Sequence, residues 1–165
     1  MRSGHGWHQA TGALVLAVTT AAACTPCDEH PTASCGAGVV GQIDGFVVTT
    51  RTGSDSSDAD IQICFELRGG ADACSLLETS ADDFEDGQID VFDVDLSFDA
   101  GALEGFYLFN GGMAAFGNDE WEIEGVTLEA RTLGDTVLLY DEPQLGCGGA
   151  QIDEGERWYP AFCSY

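Results

Sequence analysis

The chain has 165 residues, 29 acids, five arginines and no lysine, for a formal net charge of −24. Such a balance excludes nucleic acid as a partner, because no basic patch exists to release counterions, and it disfavours unaided contact with an anionic membrane. The same surplus suits solubility outside the cell, or the binding of a hard divalent cation through carboxylate oxygens.

Residues 1–23 read as a cleavable export signal. Arg2 is the sole formal side-chain charge before Cys24, and an apolar run from Ala13 to Val18 leads into Thr19-Thr20-Ala21-Ala22-Ala23. That run falls short of the ~20 apolar residues of a permanent span, and a positive start, short apolar core and small residues make the signal pattern. Ala21-Ala22-Ala23-Cys24 resembles the lipobox of bacterial lipoproteins, with Ala21 where that family usually has Leu. The resemblance implies a diacylglycerol thioether on Cys24, an anchor on the outer face of a bacterial membrane and a place in the cell envelope. An ordinary signal peptidase can also use such a site, which would leave a secreted or periplasmic chain.

Cysteine arithmetic favours the anchor. Seven cysteines stand at 24, 27, 35, 64, 74, 147 and 163, and lipidation of Cys24 leaves an even set for disulfides in an oxidising compartment. Residues 24–41 form a lipidated N-terminus and tether without apolar period, and residues 42–165 form the domain.

Within the domain, Ile61, Ile63, Phe65 and Leu67 alternate with polar residues, as do Phe92, Val94, Leu96 and Phe98 with Asp93, Asp95, Ser97 and Asp99. Period-two alternation marks half-buried strands. Further strands are expected at 43–51, 73–79, 103–109, 121–131 and 135–141. Two of them change parity, at Val91/Phe92 and between Ile123 and Val126, so a bulge is expected in each, the second at Gly125. With no sustained helical period, the fold class is all-β: an antiparallel sandwich of about eight strands. Gly69-Gly70 marks a hairpin that places Cys64 opposite Cys74. Cys27–Cys35 and Cys147–Cys163 are the most local pairings of the rest, with a bridge from the tether to the C-terminal loop as the rival.

Several motifs then occur in a meaningful order: Thr52-Gly53, Ser57-Asp58-Ala59-Asp60-Ile61, Asp90-Val91-Phe92, Gly101 and Leu103 before Phe106-Tyr107-Leu108-Phe109-Asn110, and Trp121-Glu122-Ile123 through Leu128. Over residues 43–131 they resemble the PLAT (lipoxygenase-homology) domain, with Ser57 and Asp60 where its pattern has Thr and Asn. The resemblance implies a sandwich that docks lipids or proteins, with calcium in loops at one end. Carried over, its metal set is Gly53, Asp55, Asp58, Asp60, Asn110, Asn118 and Asp119. Calcium takes about six to eight oxygen ligands, while the same residue types also simply build turns. Met113 and Phe116, in a glycine-rich loop, either contact a membrane or partner or fold back as a plug.

No enzyme constellation emerges. His30 is the one histidine after Cys24 and lies in the tether, so neither a Ser-His-Asp set nor a Cys-His pair can be built. Paired acids such as Asp82/Asp83 and Glu120/Glu122 are the raw material of a small acidic hydrolase, but they are expected by composition alone. The expected function is a non-catalytic, lipid-anchored module, calcium-dependent or not, for a lipid headgroup, protein or carbohydrate. The alternative is a structural envelope lipoprotein.

Overall fold

The computed structural model describes residues 34–35, 38–57, 59–79, 83–111, 120–145 and 149–160. The export signal, Cys24, Cys27, Asp58, Met113, Phe116, Asn118, Asp119, Cys147 and Cys163 lie outside the described residues, as does the side chain of Cys35.

Among the described residues twelve strands follow in order: β1 (Ser34–Cys35), β2 (Gln42–Ile43), β3 (Gly45–Thr52), β4 (Ile61–Leu67), β5 (Ala73–Leu76), β6 (Ile89–Val94), β7 (Phe98–Asp99), β8 (Leu103–Asn110), β9 (Trp121–Thr132), β10 (Asp135–Glu142), β11 (Ala150–Ile152) and β12 (Arg157–Trp158). One sheet orders them β1-β10-β9-β3-β6 with β11 on the start of β9; the other runs β12-β8-β4-β5, and β2 pairs with β7. Every pairing is antiparallel. The expected all-β sandwich is what the chain forms.

Alternation in the sequence becomes alternation in space. Phe46 and Val48 of β3, Phe92 and Val94 of β6, Ile61, Ile63 and Phe65 of β4, and Phe106 and Leu108 of β8 all point inward and are buried. The two sheets meet through rings: Phe46 stacks on Phe65 with centroids 4.1 Å apart, and Phe106 meets Tyr140 edge-on at 5.4 Å. Burying each such side chain contributes about 1.5–3 kcal/mol, which makes this double layer the main source of stability.

The expected bulge at Gly125 is present. Arg51 pairs with Gly125 and the next residue, Thr52, with Ile123, so Glu124 is the extra residue. A β-carbon on Gly125 would stand 2.5 Å from the Pro143 carbonyl oxygen, so close backbone approach requires glycine there. A second bulge lies in β10, where Leu139 is skipped in the pairing with β9 and both Leu139 and Tyr140 face the core.

The parity change expected at Val91/Phe92 does not occur. β6 alternates without interruption, with Ile89 and Val91 exposed and Asp90 buried. A carboxylate can take the inward place because two groups satisfy it: the Phe84 backbone N–H donates to Asp90 at 3.0 Å, and the Gln88 amide donates as well.

The hairpin reading holds fully. Gly69 adopts φ 68°, Cys64 pairs directly with Cys74, and the two are joined in a disulfide with α-carbons 4.1 Å apart. β5 ends at Leu76, short of the expected residue 79. Strands β1, β2, β7, β11 and β12 span only two or three residues each, too few to show a period in sequence.

Candidate functional site

The motif loops gather at one end of the sandwich, and hydrogen bonds bind them to one another. The Gly53 N–H donates to the Glu122 carbonyl at 2.8 Å, the Glu122 N–H to the Asp55 carbonyl at 3.1 Å, and the Gly87 N–H to the Gly53 carbonyl at 2.8 Å. The loop after β3 is thereby held between the starts of β9 and β6. Its floor is aromatic: the Phe84 ring stacks on Phe92 and meets Trp121 edge-on at 4.9 Å. Phe84 pays for that position with a left-handed backbone, φ 61°, which a bulky residue keeps only when its surroundings over-determine it. The Trp121 indole N–H donates to the buried Thr52 hydroxyl at 3.1 Å.

Glu122 is the central carboxylate of this end. It accepts from the Ser54 backbone N–H at 2.6 Å and from the Ser54 hydroxyl at 2.8 Å. These two bonds hold its carboxyl below the usual range, outweighing the opposing effect of burial. Gly53 is glycine for the same reason, since a β-carbon there would lie 2.4 Å from a Glu122 carboxylate oxygen. Glu122 was visible in the sequence as a strand-motif residue and as half of an acidic pair, neither of which assigns it this role. Its role comes from Ser54, 68 positions away, and no local signal announces it.

The described members of the carried-over metal set each have contacts of their own. Asp55 is exposed and accepts from the Gln151 amide at 3.2 Å. Asp60 is exposed, and its carbonyl accepts from the Gly111 N–H at 3.0 Å. Asn110 is fully buried; its side-chain amide donates to the Ile152 carbonyl at 3.1 Å and its backbone carbonyl accepts from the Gly155 N–H at 2.8 Å, which ties β8 to β11 and the β11–β12 loop. Gly53 serves the Glu122 contact. Among the described residues no group of three or more His, Cys, Asp and Glu side chains is placed to hold a metal ion.

A cleft of about 190 Å³ opens beside them, lined by Asp60, Glu78 and Asp83 over Leu77 and Phe84. Asp83 turns back onto its own loop, accepting from the Thr79 backbone N–H at 2.6 Å and from the Thr79 hydroxyl.

No protein-family model matches the chain, and no curated protein matches it significantly. Solved structures do. The alpha toxin of Clostridium absonum aligns with a TM-score of 0.60 at 18% identity, over 72% of this chain and 31% of the toxin. The alpha toxin of an avian strain of Clostridium perfringens aligns at 0.58 and 15% identity, over 71% of this chain and 31% of that one. The fold is a PLAT-type β-sandwich. A lipoxygenase structure aligns less closely, at 0.44 and 22% identity over 60% of this chain and 16% of the enzyme. This chain thus spans about a third of each toxin, and the likeness is one of fold. The PLAT-type expectation drawn from the ordered motifs is met in the sandwich that carries them.

Proposed function

We propose that this chain is an exported, non-catalytic binding module, anchored through a lipid on Cys24 to the outer face of a bacterial membrane. The observation that carries this reading is the PLAT-type sandwich, shared with two toxins at a TM-score near 0.6. The same architecture can serve unrelated tasks, so the site chemistry also bears on the reading, and three carboxylates support it. A general acid needs a raised pKa, whereas Glu122 is shifted down by the Ser54 bonds, and Asp83 and Asp90 are bound to loop donors. These carboxylates organise loops.

Mass spectrometry of the mature chain, with detergent partition, tests the anchor. A diacylglycerol thioether on Cys24 that is lost in Cys24→Ser supports it; an unmodified thiol removes it. Calcium, implied by the family resemblance, rests in this reading on the carried-over set Gly53, Asp55, Asp58, Asp60, Asn110, Asn118 and Asp119. Titration calorimetry after chelation decides that part: absence of both heat and thermal shift at millimolar calcium removes the metal and leaves the module. Vesicle pelleting of wild type against Met113→Ser/Phe116→Ser tests whether that loop carries a lipid contact.

A further inference from the structure

Directly opposite residues of an antiparallel pair share a sheet face. On the outer face of the four-stranded sheet, the register therefore aligns Gln62, Phe109 and Arg157 in one row across β4, β8 and β12. In the neighbouring row Tyr107 pairs with Cys64, and the Tyr159 ring continues that row, its centroid 5.2 Å from that of Tyr107.

Arg157 is fixed on this surface by two phenols. Its guanidinium carbon lies 4.6 Å from the centroid of the Tyr107 ring, and it donates to the Tyr159 hydroxyl at 3.3 Å. Tyr107 is itself anchored, donating to Asp72 at 2.8 Å. Arg68 pairs with Glu104 and Arg131 with Asp93, yet Arg157 makes no ion pair among the described residues of a chain that has 29 acids. A guanidinium carries five N–H donors in a planar fork. Stacking and one long bond leave most of that fork facing solvent, on a residue that is exposed. Beside it stand Tyr159, a residue 45% exposed, and a half-buried Phe109.

We propose that this face binds a neutral glycan, an inference that rests on the binding-module reading and names the module's partner class. The exposed Tyr159 and the half-buried Phe109 offer aromatic surface that complements the C–H face of a sugar ring, while Tyr107 is buried beneath Arg157 and serves to hold it. A preorganised donor fork, with the Gln62 amide in the same row, suits a pattern of hydroxyls. Few rotatable bonds are lost when such rings order a ligand. Charge selects against the alternatives. A polyanion or an anionic lipid surface would meet one guanidinium against a net charge of −24, whereas a neutral polyol meets no such repulsion.

The test is affinity electrophoresis of the full chain in native gels cast with hydroxyethyl cellulose, mannan, xylan or starch. Retardation by at least one polysaccharide is expected, weakened tenfold or more in Arg157→Ala and Tyr159→Ala. Arg157→Lys should also be impaired, because it keeps the charge and loses the fork. Ile89→Ser/Val91→Ser, on the outer face of the other sheet, should bind as wild type. Near-UV circular dichroism of each variant separates lost binding from lost folding. The proposal is overturned if no polysaccharide retards the chain, or if folded Arg157 and Tyr159 variants bind normally. It is also overturned if sedimentation shows a dimer that Tyr159→Ala dissociates, since the face would then meet a second copy. If polysaccharides fail while phosphatidylglycerol or phosphatidylcholine vesicles pellet the chain, the glycan inference falls and the binding-module reading stands.

Discussion

The carboxylate of Glu122 accepts two hydrogen bonds from one residue, Ser54, at 2.6 Å from its backbone N–H and 2.8 Å from its hydroxyl. A strand start and a distant loop are thereby joined at one end of the sandwich. Bonds to an ionised acceptor are among the stronger ones in a protein, so this pair fixes the shape of the loop end more than any turn residue within it.

The first prediction concerns pH. The folded-state pKa of Glu122 lies below its ordinary value near 4.5. The stabilisation is therefore fully present above that value and is lost as pH falls through the lower, folded one. Denaturant melts should show wild type losing stability more steeply than Glu122→Gln across that acid window. At neutral pH, Ser54→Ala should cost about 1–2 kcal/mol. Equal acid slopes for wild type and Glu122→Gln would refute the assignment.

Removal of the hairpin bridge gives a second test. Cys64 and Cys74 are separated by 10 positions, and closing a loop of that size is worth about 2–3 kcal/mol. Cys64→Ala/Cys74→Ala should lower the thermal midpoint by roughly 5–10 °C, as calorimetry would read it. The sheet pairing should survive, because Ile63 and Phe65 still bury their side chains.

Gly125 and Gly70 should behave oppositely. Alanine at 125 collides with backbone oxygens of Pro143 and Glu142, which cannot move without opening the bulge, whereas at 70 the nearest atoms are 3.9 Å away. Gly125→Ala should lose about 2 kcal/mol or more, and Gly70→Ala should change stability by under about 0.5 kcal/mol. Urea midpoints of the two variants provide the comparison.

Thr50 offers a stabilising change. It is fully buried, and its hydroxyl has no hydrogen-bond partner among the described residues. A buried unsatisfied hydroxyl is costly, so the near-isosteric Thr50→Val should raise stability by about 0.5–1 kcal/mol. A loss on chemical denaturation would mean that the hydroxyl is satisfied after all.

Adjacent residues of β6 should rank against their hydropathy. Asp90→Ala leaves the Phe84 N–H without its acceptor and is expected to cost about 2 kcal/mol. Val91→Ala, on the exposed face, should cost well under 1 kcal/mol. Trp121 fluorescence reports the difference directly, because Phe84 packs on its ring.

That ranking shows where the sequence is a sufficient guide and where it is not. From hydropathy alone, Ile89 and Val91 belong inside and Asp90 outside; the molecule does the reverse. Burial energy per side chain is about 1.5–3 kcal/mol, and two hydrogen-bond donors offset the hydration that the buried Asp90 carboxylate loses. The donors, Phe84 and Gln88, belong to a loop whose path no period encodes.

The loop end and the sheets divide the same way. The identity of the longer strands, the hairpin at Gly69, the Cys64–Cys74 bridge and the bulge at Gly125 were determined by the sequence, because period-two burial and glycine geometry act over a few residues. The ordered PLAT-like motifs were legible for the same reason. Only the tertiary structure decided that Gly53 makes room for Glu122, that Asn110 is a buried tie rather than a surface amide, and that Arg157 lies on Tyr107 beside Tyr159. Each of these joins residues far apart in the chain or on strands too short to have a period. Such contacts exist only once two sheets have packed and their loops have been drawn to common positions.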